Sequence, residues 1–267
     1  MKFQHILYAK QGHVATITLN RPEVLNALQP LTCRELSAAF RDYLADDQLR
    51  VAVLTGAGEK SFCVGADLKH RVSAGEETSG RASDELDALL AQCHKPLLAA
   101  VNGYAVAGGL EMALRCDLIL AASHAKFGLT EVKRGLVADG GGIYHLSQRL
   151  PHHQAMALAL TGELITADEA YRIGLLNAVV PAAELAATTR QWADRIAASS
   201  PLAVQAAKEM FRAFRHSPAA PGLTAIDALP TVQRLRASED YVEGPRAFAE
   251  KRAPVWTGRP RKPDPAS

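Results

Sequence analysis

The chain has 267 residues but only four cysteines, Cys33, Cys63, Cys93 and Cys116, and no two form a Cys-x-x-Cys pair. That scatter supports neither a zinc framework nor a disulfide scaffold and reads as reduced cytosolic thiols. A dominant charge sign is also missing: 30 Lys and Arg against 28 Asp and Glu leave a net +2, with no long basic run before the terminus. Nothing here points to nucleic acid. No segment approaches the roughly 18 continuous apolar residues of a membrane span. The N-terminal MKFQHILYAK lacks the apolar core of a signal peptide, so a cytoplasmic protein without a membrane partner is expected. The nine histidines contain no HExxH or similarly spaced ligand set, and no metal is expected. Ser61 and Ser73 lack a G-x-S-x-G setting, which leaves a nucleophile elbow unsupported. The glycine runs match neither the Walker pattern nor a dinucleotide fingerprint, which argues against nucleotide hydrolysis and hydride transfer. No internal repeat is visible, and the Pro-rich basic end Arg259 to Ser267 reads as a frayed tail.

What is present is the pattern of an α/β protein. A composition of 48% hydrophobic and 22% charged residues is ordinary for a globular chain, long enough for one large domain or a domain with a docking subdomain. His5–Tyr8 and Val14–Leu19 flank Gln11-Gly12 as two strands of a hairpin. After Pro30, the residues Leu36, Ala39, Phe40, Tyr43 and Leu44 fall on one helical stripe. Val51–Thr55 is a short apolar strand of the kind buried in a parallel sheet. The Gly-rich loop 56–70 follows it, at the strand end where open α/β sheets place ligands. Lys60 and Lys69 in this loop could meet a phosphate or be solvated surface lysines. Gly75–Ser83, rich in Gly, Glu and Ser, reads as mobile, and Glu85–Cys93 as a helix. Thr166-Ala-Asp-Glu169 is a capping box whose helix Gly174 closes, and Ser200-Pro201 supplies an N-cap and first helical position. From these signals we expect an α/β core over residues 1–200 and a helical subdomain over 201–267.

The chain is organised around Lys95–Asp117, KPLLAAVNGYAVAGGLEMALRCD. Leu97–Val101 reads as a buried strand that should reverse at Asn102-Gly103, and Gly108-Gly109 sits where a helix begins. The first N–H groups of a helix lack intrahelical acceptors and face a dipole that favours negative charge. A developing oxyanion could rest there; the same glycines could instead serve tight helix packing. Glu111 stands one turn in, and Glu131 lies 20 residues beyond it. Two carboxylates in one apolar pocket push their proton affinities apart, so one can donate while the other accepts. Asp139, before Gly140-Gly141-Gly142, is a third candidate acid or simply a turn residue at a second Gly-rich helix start.

Several segments together resemble the enoyl-CoA hydratase/isomerase (crotonase) family: Asn20–Leu28 (NRPEVLNAL), Ser61–Leu68 (SFCVGADL), the stretch just described, Phe127–Glu131, and Ser238-Glu-Asp with Glu243-Gly and Ala247–Arg252. The C-terminal run Pro254–Arg259, with Asp139-Gly-Gly, is similar to carnitinyl-CoA dehydratases within that family. The resemblance implies a spiral of ββα turns with a C-terminal helical trimerisation subdomain, assembled as a homotrimer or a hexamer. It implies an acyl-CoA substrate and no separate cofactor, because coenzyme A is part of the substrate. The backbone N–H groups of Ala66 and Gly108 would receive the thioester oxygen as it becomes an enolate. Glu111 would orient or deprotonate water and Glu131 would protonate the α-carbon. Val64, Leu68 and Lys69 match the loop lining the CoA site, with Lys60 reaching phosphates and Phe248 and Lys251 supplied by the tail. The expected reaction is hydration of a 2-enoyl-CoA or dehydration of a 3-hydroxyacyl-CoA. Asp139 stands where some isomerases of the family carry their acid/base, which keeps double-bond isomerisation as a rival. An acyl-CoA-binding assembly subunit without turnover is the non-enzyme alternative, against which retention of both glutamates speaks. The family's usual third glycine is replaced by Ala107 and a common proline by Ala138.

Overall fold

The computed structural model describes residues 2–74, 80–215 and 222–261. Part of Gly75–Ser83, at 75–79, and the end of the expected tail, at 262–267, lie outside those residues. The chain divides into two compact units, one of Met1–Cys93 with Leu97–Ala193 and one of His94–Pro96 with Asp194–Ser267.

The first unit contains two sheets. Strands β1 (Ile6–Gln11), β2 (Val14–Leu19), β3 (Val51–Gly56), β5 (Leu97–Val101), β7 (Leu118–Ala122) and β10 (Ala178–Val180) form the larger, in that order. Only β1 and β2 are antiparallel; every later pairing is parallel. The smaller sheet runs β4 (Ser61–Cys63), β6 (Tyr104–Val106), β8 (Lys126–Gly128), β9 (Ile165–Thr166), parallel until the antiparallel last pair. The chain therefore lays one strand in the larger sheet, crosses to the smaller and returns through a helix. It does so through β3, β4 and then α2 (Leu68–Ala74) and α3 (Gly80–Gln92), and through β5, β6 and α4 (Gly108–Arg115); after β7, β8 and α5 (Gly142–Arg149) it lays β9 in the smaller sheet before returning to the larger as β10. This repeated ββα course is the spiral that the resemblance implies. It also alters one local expectation: Asn102-Gly103 does not reverse β5 onto itself but carries the chain into the second sheet. Gly103 permits that crossing, since a Cβ there would lie 2.2 Å from the Lys60 carbonyl oxygen.

The apolar runs explain the layering. β5 is buried at every position, as a strand covered on both faces must be. α1 (Pro30–Ala45) turns Leu36, Ala39, Phe40 and Tyr43 inward and packs against α3, whose Leu86 and Leu90 join the same core. α6 (His152–Thr161) and α7 (Ala167–Arg172) follow, and both halves of the Thr166/Glu169 capping box are formed. α8 (Leu185–Ala197) spans the division between the units.

In the second unit, α9 (Pro201–Phe214), α10 (Leu223–Asp227), α11 (Pro230–Arg236) and α12 (Asp240–Ala249) carry the chain. The Ser200 hydroxyl caps α9 by accepting from the Ala203 N–H and donates to Asp240 at 2.9 Å. Buried Asp240 in turn accepts from the Thr257 and Gly258 N–H groups at 2.8 and 3.0 Å, and the Trp256 indole donates to the Ala198 carbonyl. The segment Ser238–Arg252 is thus partly a clasp for the chain that follows it. Among the described residues, no helix is long and apolar enough to cross a membrane.

Candidate active site

The site is built on a loop that the first motif holds in place. Asn26, in the left-handed region at φ 58°, accepts the Arg21 N–H and donates to the Ala57 and Ser61 carbonyls, which fixes both ends of the turn after β3. Arg21 reaches across to Asp67 at 3.2 Å, where Gln29 also donates, and Asp67 accepts the His70 N–H at the start of α2. Burial pushes the Asp67 carboxyl up, but the hydrogen bonds from His70, Gln29 and Arg21 outweigh it and hold the group below its ordinary range. Between these anchors the Leu28 N–H donates to the Gly65 carbonyl, and the Leu28 carbonyl accepts the Asp67 N–H. In a parallel bridge of this kind the intervening residue, Ala66, turns its own N–H to the opposite side. Ser61 is buried and its hydroxyl donates to the Leu25 and Tyr104 carbonyls, a packing role.

The helix start meets that loop at glycines. Gly65 has φ 81°, and a Cβ on it would come within 2.7 Å of the Gly108 nitrogen; a Cβ on Gly109 would overlap the Cys63 carbonyl oxygen at 2.0 Å. A Cβ on Gly108 would itself meet the Gly65 Cα at 3.3 Å, so close packing is true of all three glycines of this junction. A Cβ on Gly108 would point to a spot 3.9 Å from the Ala66 nitrogen and 3.8 Å from Glu111 Oε2. Gly108 is the first residue of α4, so its N–H has no intrahelical acceptor. Ala107 before it adopts φ 52°, ψ −130°, a conformation that a Cβ disfavours. Ala107→Gly relieves that strain at the cost of some unfolded-state entropy, and a gain of about 1 kcal/mol in urea unfolding is expected.

Glu111 is 8% exposed. Its Oε1 accepts the Gly142 N–H at 2.8 Å, at the first residue of α5. The triple glycine is shaped by this carboxylate: a Cβ on Gly140 would lie 2.5 Å from Glu111 Oε2 and one on Gly142 3.0 Å from its Oε1, while Gly141 turns the chain at φ 102°. Glu131 opens the short 3-10 turn Glu131–Arg134 after β8, and among the described residues its buried Oε2 has no hydrogen-bond partner. A buried carboxylate oxygen without a donor is costly unless a bound molecule supplies one. Asp139 is exposed in the loop before α5, near enough for its charge to act on both glutamates. Burial first, then repulsion from Glu131 and Asp139, pushes Glu111 up to about 7 despite the Gly142 hydrogen bond and Arg115. Burial and Asp139 also raise Glu131.

The sign of the accompanying stability effect is fixed. Glu111 binds its proton more tightly folded than unfolded, so its contribution is full below its ordinary 4.5 and lost as pH rises through about 7. Glu111→Gln, which keeps the acceptor and removes the charge, should stabilise by on the order of 3 kcal/mol at pH 8 and by little at pH 4.5, read from urea unfolding at each pH.

Of the other residues singled out from sequence, Val64 is half-buried in the loop that carries Ala66, while Leu68 and Lys69 are exposed in the first turn of α2 and not in the loop. Lys60 lines a cavity of about 960 Å³ with Leu25, Gly58, Asn102 and Tyr104, whose walls include none of the three acids. Phe248 and Lys251 lie at the end of α12 and just after it in the second unit, both exposed. Ala138 is buried. The sequence reading passed over Gly65, Asp67 and Arg115, and it took Gly140–Gly142 only as a helix start. The positive charge of Arg115 one turn after a candidate acid was the available signal.

The model of the enoyl-CoA hydratase/isomerase family matches residues 9–259. (E)-Benzylidenesuccinyl-CoA hydratase of Thauera aromatica is 44% identical over 92% of this chain and 96% of its own length. Carnitinyl-CoA dehydratase of Proteus mirabilis is 41% identical over 96% and 99%. The crystal structure of enoyl-CoA hydratase from Mycobacterium tuberculosis H37Rv superposes with a TM-score of 0.85 at 39% identity, covering 95% of this chain and 99% of that one. With the family model matched over residues 9–259 and relatives 41% and 44% identical along nearly the whole chain, the chain belongs to the enoyl-CoA hydratase/isomerase family.

Proposed function

We propose that the protein adds water reversibly to a 2-enoyl-CoA thioester through an enolate held by the Ala66 and Gly108 N–H groups. The observation that carries this reading is the close approach at Gly108, where one point has the Gly65 Cα at 3.3 Å and the Ala66 nitrogen and the Glu111 carboxylate both within 4 Å. In the hydration direction ionised Glu111 takes a proton from water as the water oxygen attacks C3 of the enoyl group. The electron pair moves to the thioester oxygen, where the two amides stabilise it, and protonated Glu131 delivers its proton to C2. One proton is taken up and one released, so the pair ends with the same total. Dehydration of a 3-hydroxyacyl-CoA is the reverse. Coenzyme A enters as part of the substrate, and the reaction so written calls on no other cofactor. Val64, Leu68 and Lys69 are assigned to the lining of the CoA site, with Lys60 reaching its phosphates, and Phe248 and Lys251 to the tail that a neighbouring subunit supplies near the CoA. A trimer or a dimer of trimers, and a cytoplasmic location, complete the reading; sedimentation equilibrium tests the first.

The relatives' names support hydro-lyase chemistry, including the dehydration of a carnitinyl thioester by one of them. A second reading has its own observation: the charge of Asp139 reaches both glutamates, where an acid/base could move a proton along the acyl chain. Under the hydration reading Asp139→Asn keeps 2-enoyl-CoA hydration within a few fold. If it instead abolishes conversion of a 3-enoyl-CoA to its 2-enoyl isomer while Glu111→Gln spares that conversion, isomerisation is the principal activity. The assay is the change in thioester absorbance with each isomer.

A further inference from the structure

Arg115 lies four residues after Glu111, in the last turn of α4. Its side chain is 14% exposed. One guanidinium nitrogen donates to the Gly140 carbonyl; the other pairs with Asp87 of α3 at 3.0 Å and donates to the Asp87 carbonyl at 3.3 Å. The glycine it grips is the one whose missing Cβ makes room for Glu111 Oε2, two residues before the N–H that Glu111 accepts. We propose that Arg115 is a positioning residue: anchored on Asp87, it holds the Gly140–Gly142 turn against Glu111 and so sets the orientation of that carboxylate.

The geometry distinguishes this from a surface ion pair. A planar guanidinium can satisfy a carbonyl and a carboxylate at once, and here the two belong to different helices or their entry loops. Asp87 is half-buried, and burial raises its carboxyl while Arg115 opposes that shift. Glu111 is faced by Glu131 from the turn after β8, by Asp139 from the loop before α5, by the Gly142 N–H at the start of α5, and by Arg115 from its own helix. Among the described residues, Arg115 is the cation that shifts it, and it opposes both neighbouring acids. Loss of Arg115 thus has two separable effects. The turn loses its anchor, and Glu111 holds its proton to higher pH.

The proposal rests on the hydration reading, and its test separates the two. In Arg115→Met, kcat for a 2-enoyl-CoA should fall about 10- to 100-fold with KM nearly unchanged, as for a displaced reacting group. The acidic limb of the kcat profile should also move to higher pH. Arg115→Lys restores the charge without the fork, so the limb returns while kcat recovers only in part. Asp87→Asn should lower kcat in the same direction by less, and it carries the test together with Arg115→Lys should Arg115→Met fail to fold. Carbon-13 NMR of labelled glutamate gives a readout free of turnover: the Glu111 titration should move up in Arg115→Met and back in Arg115→Lys. Wild-type inactivity on enoyl thioesters would defeat the hydration reading and leave this titration to decide the role of Arg115. An unmoved Glu111 titration, or unchanged kcat and pH limb in an active enzyme, would overturn it.

Discussion

Glu131→Gln lowers kcat for hydration of a short 2-enoyl-CoA by about 10²–10⁴-fold, the usual contribution of a positioned proton donor. Gln keeps the volume and can hydrogen-bond water, but it has no proton to place on C2. Glu131 Oε2 is buried without a partner, so the substitution breaks no hydrogen bond of that atom among the described residues, and the fold should be retained. Glu111→Gln should fall by a similar factor, because its amide cannot take the proton from water. The double variant should lose far less than the product of the two factors, since the carboxylates act on one proton transfer cycle. Steady-state kinetics on all three, with circular dichroism to show folding, checks this. Survival of hydration within a few fold in Glu131→Gln would remove it from the acid role.

The second large effect falls on the amide pair, which cannot be deleted by ordinary mutation but can be covered. Gly65→Ala places a methyl 2.7 Å from the Gly108 nitrogen and 3.1 Å from the Ala107 methyl. Something must move, and the surface offered to the thioester oxygen is altered or blocked. The expected loss in kcat is about 10²–10³-fold, that of removing one oxyanion donor. The backbone at φ 81° adds about 1–2 kcal/mol of strain. Gly174→Ala separates the two effects, since Gly174 has φ 83° and nothing within 4 Å of where its Cβ would sit. It should lose comparable stability and keep its turnover. Equal loss of turnover in both variants would mean that strain alone explains Gly65.

Local signals account for what was legible before the structure. The Thr166–Glu169 capping box and the Ser200-Pro201 cap depend on residues three apart, and both appear as read. The apolar strand at Val51–Thr55 declared a parallel sheet because only a strand covered on both faces is apolar throughout. The helix start at Gly108 was visible in the same way, although sequence could not say which backbone atoms its glycines pack against. Long-range approach was not visible. A turn signal such as Asn102-Gly103 specifies a bend but not the sheet that receives the next strand. Gly140 and Gly142 are glycines because Glu111, some 30 residues earlier in the chain, occupies the space of their side chains. Arg115 grips a carbonyl 25 residues away, and Arg21 a carboxylate 46 away. Glu131 was readable as a partner for Glu111, but its place as the acid, like the role of Ala66, came from family resemblance; the bridge from Leu28 to Ala66 and the unpartnered oxygen of Glu131 are features that only the structure brings out.

The central claim is that one carboxylate pair and two backbone amides perform hydration. Its most direct test is the absorbance of the enoyl thioester during incubation of the wild-type protein with a panel of 2-enoyl-CoA substrates, run beside Glu131→Gln, with binding followed by calorimetry. The account predicts loss of the conjugated thioester by wild type on at least one chain length, and binding without that loss by the variant. Binding by wild type across the whole panel with no turnover would contradict it and leave an acyl-CoA-binding subunit in its place.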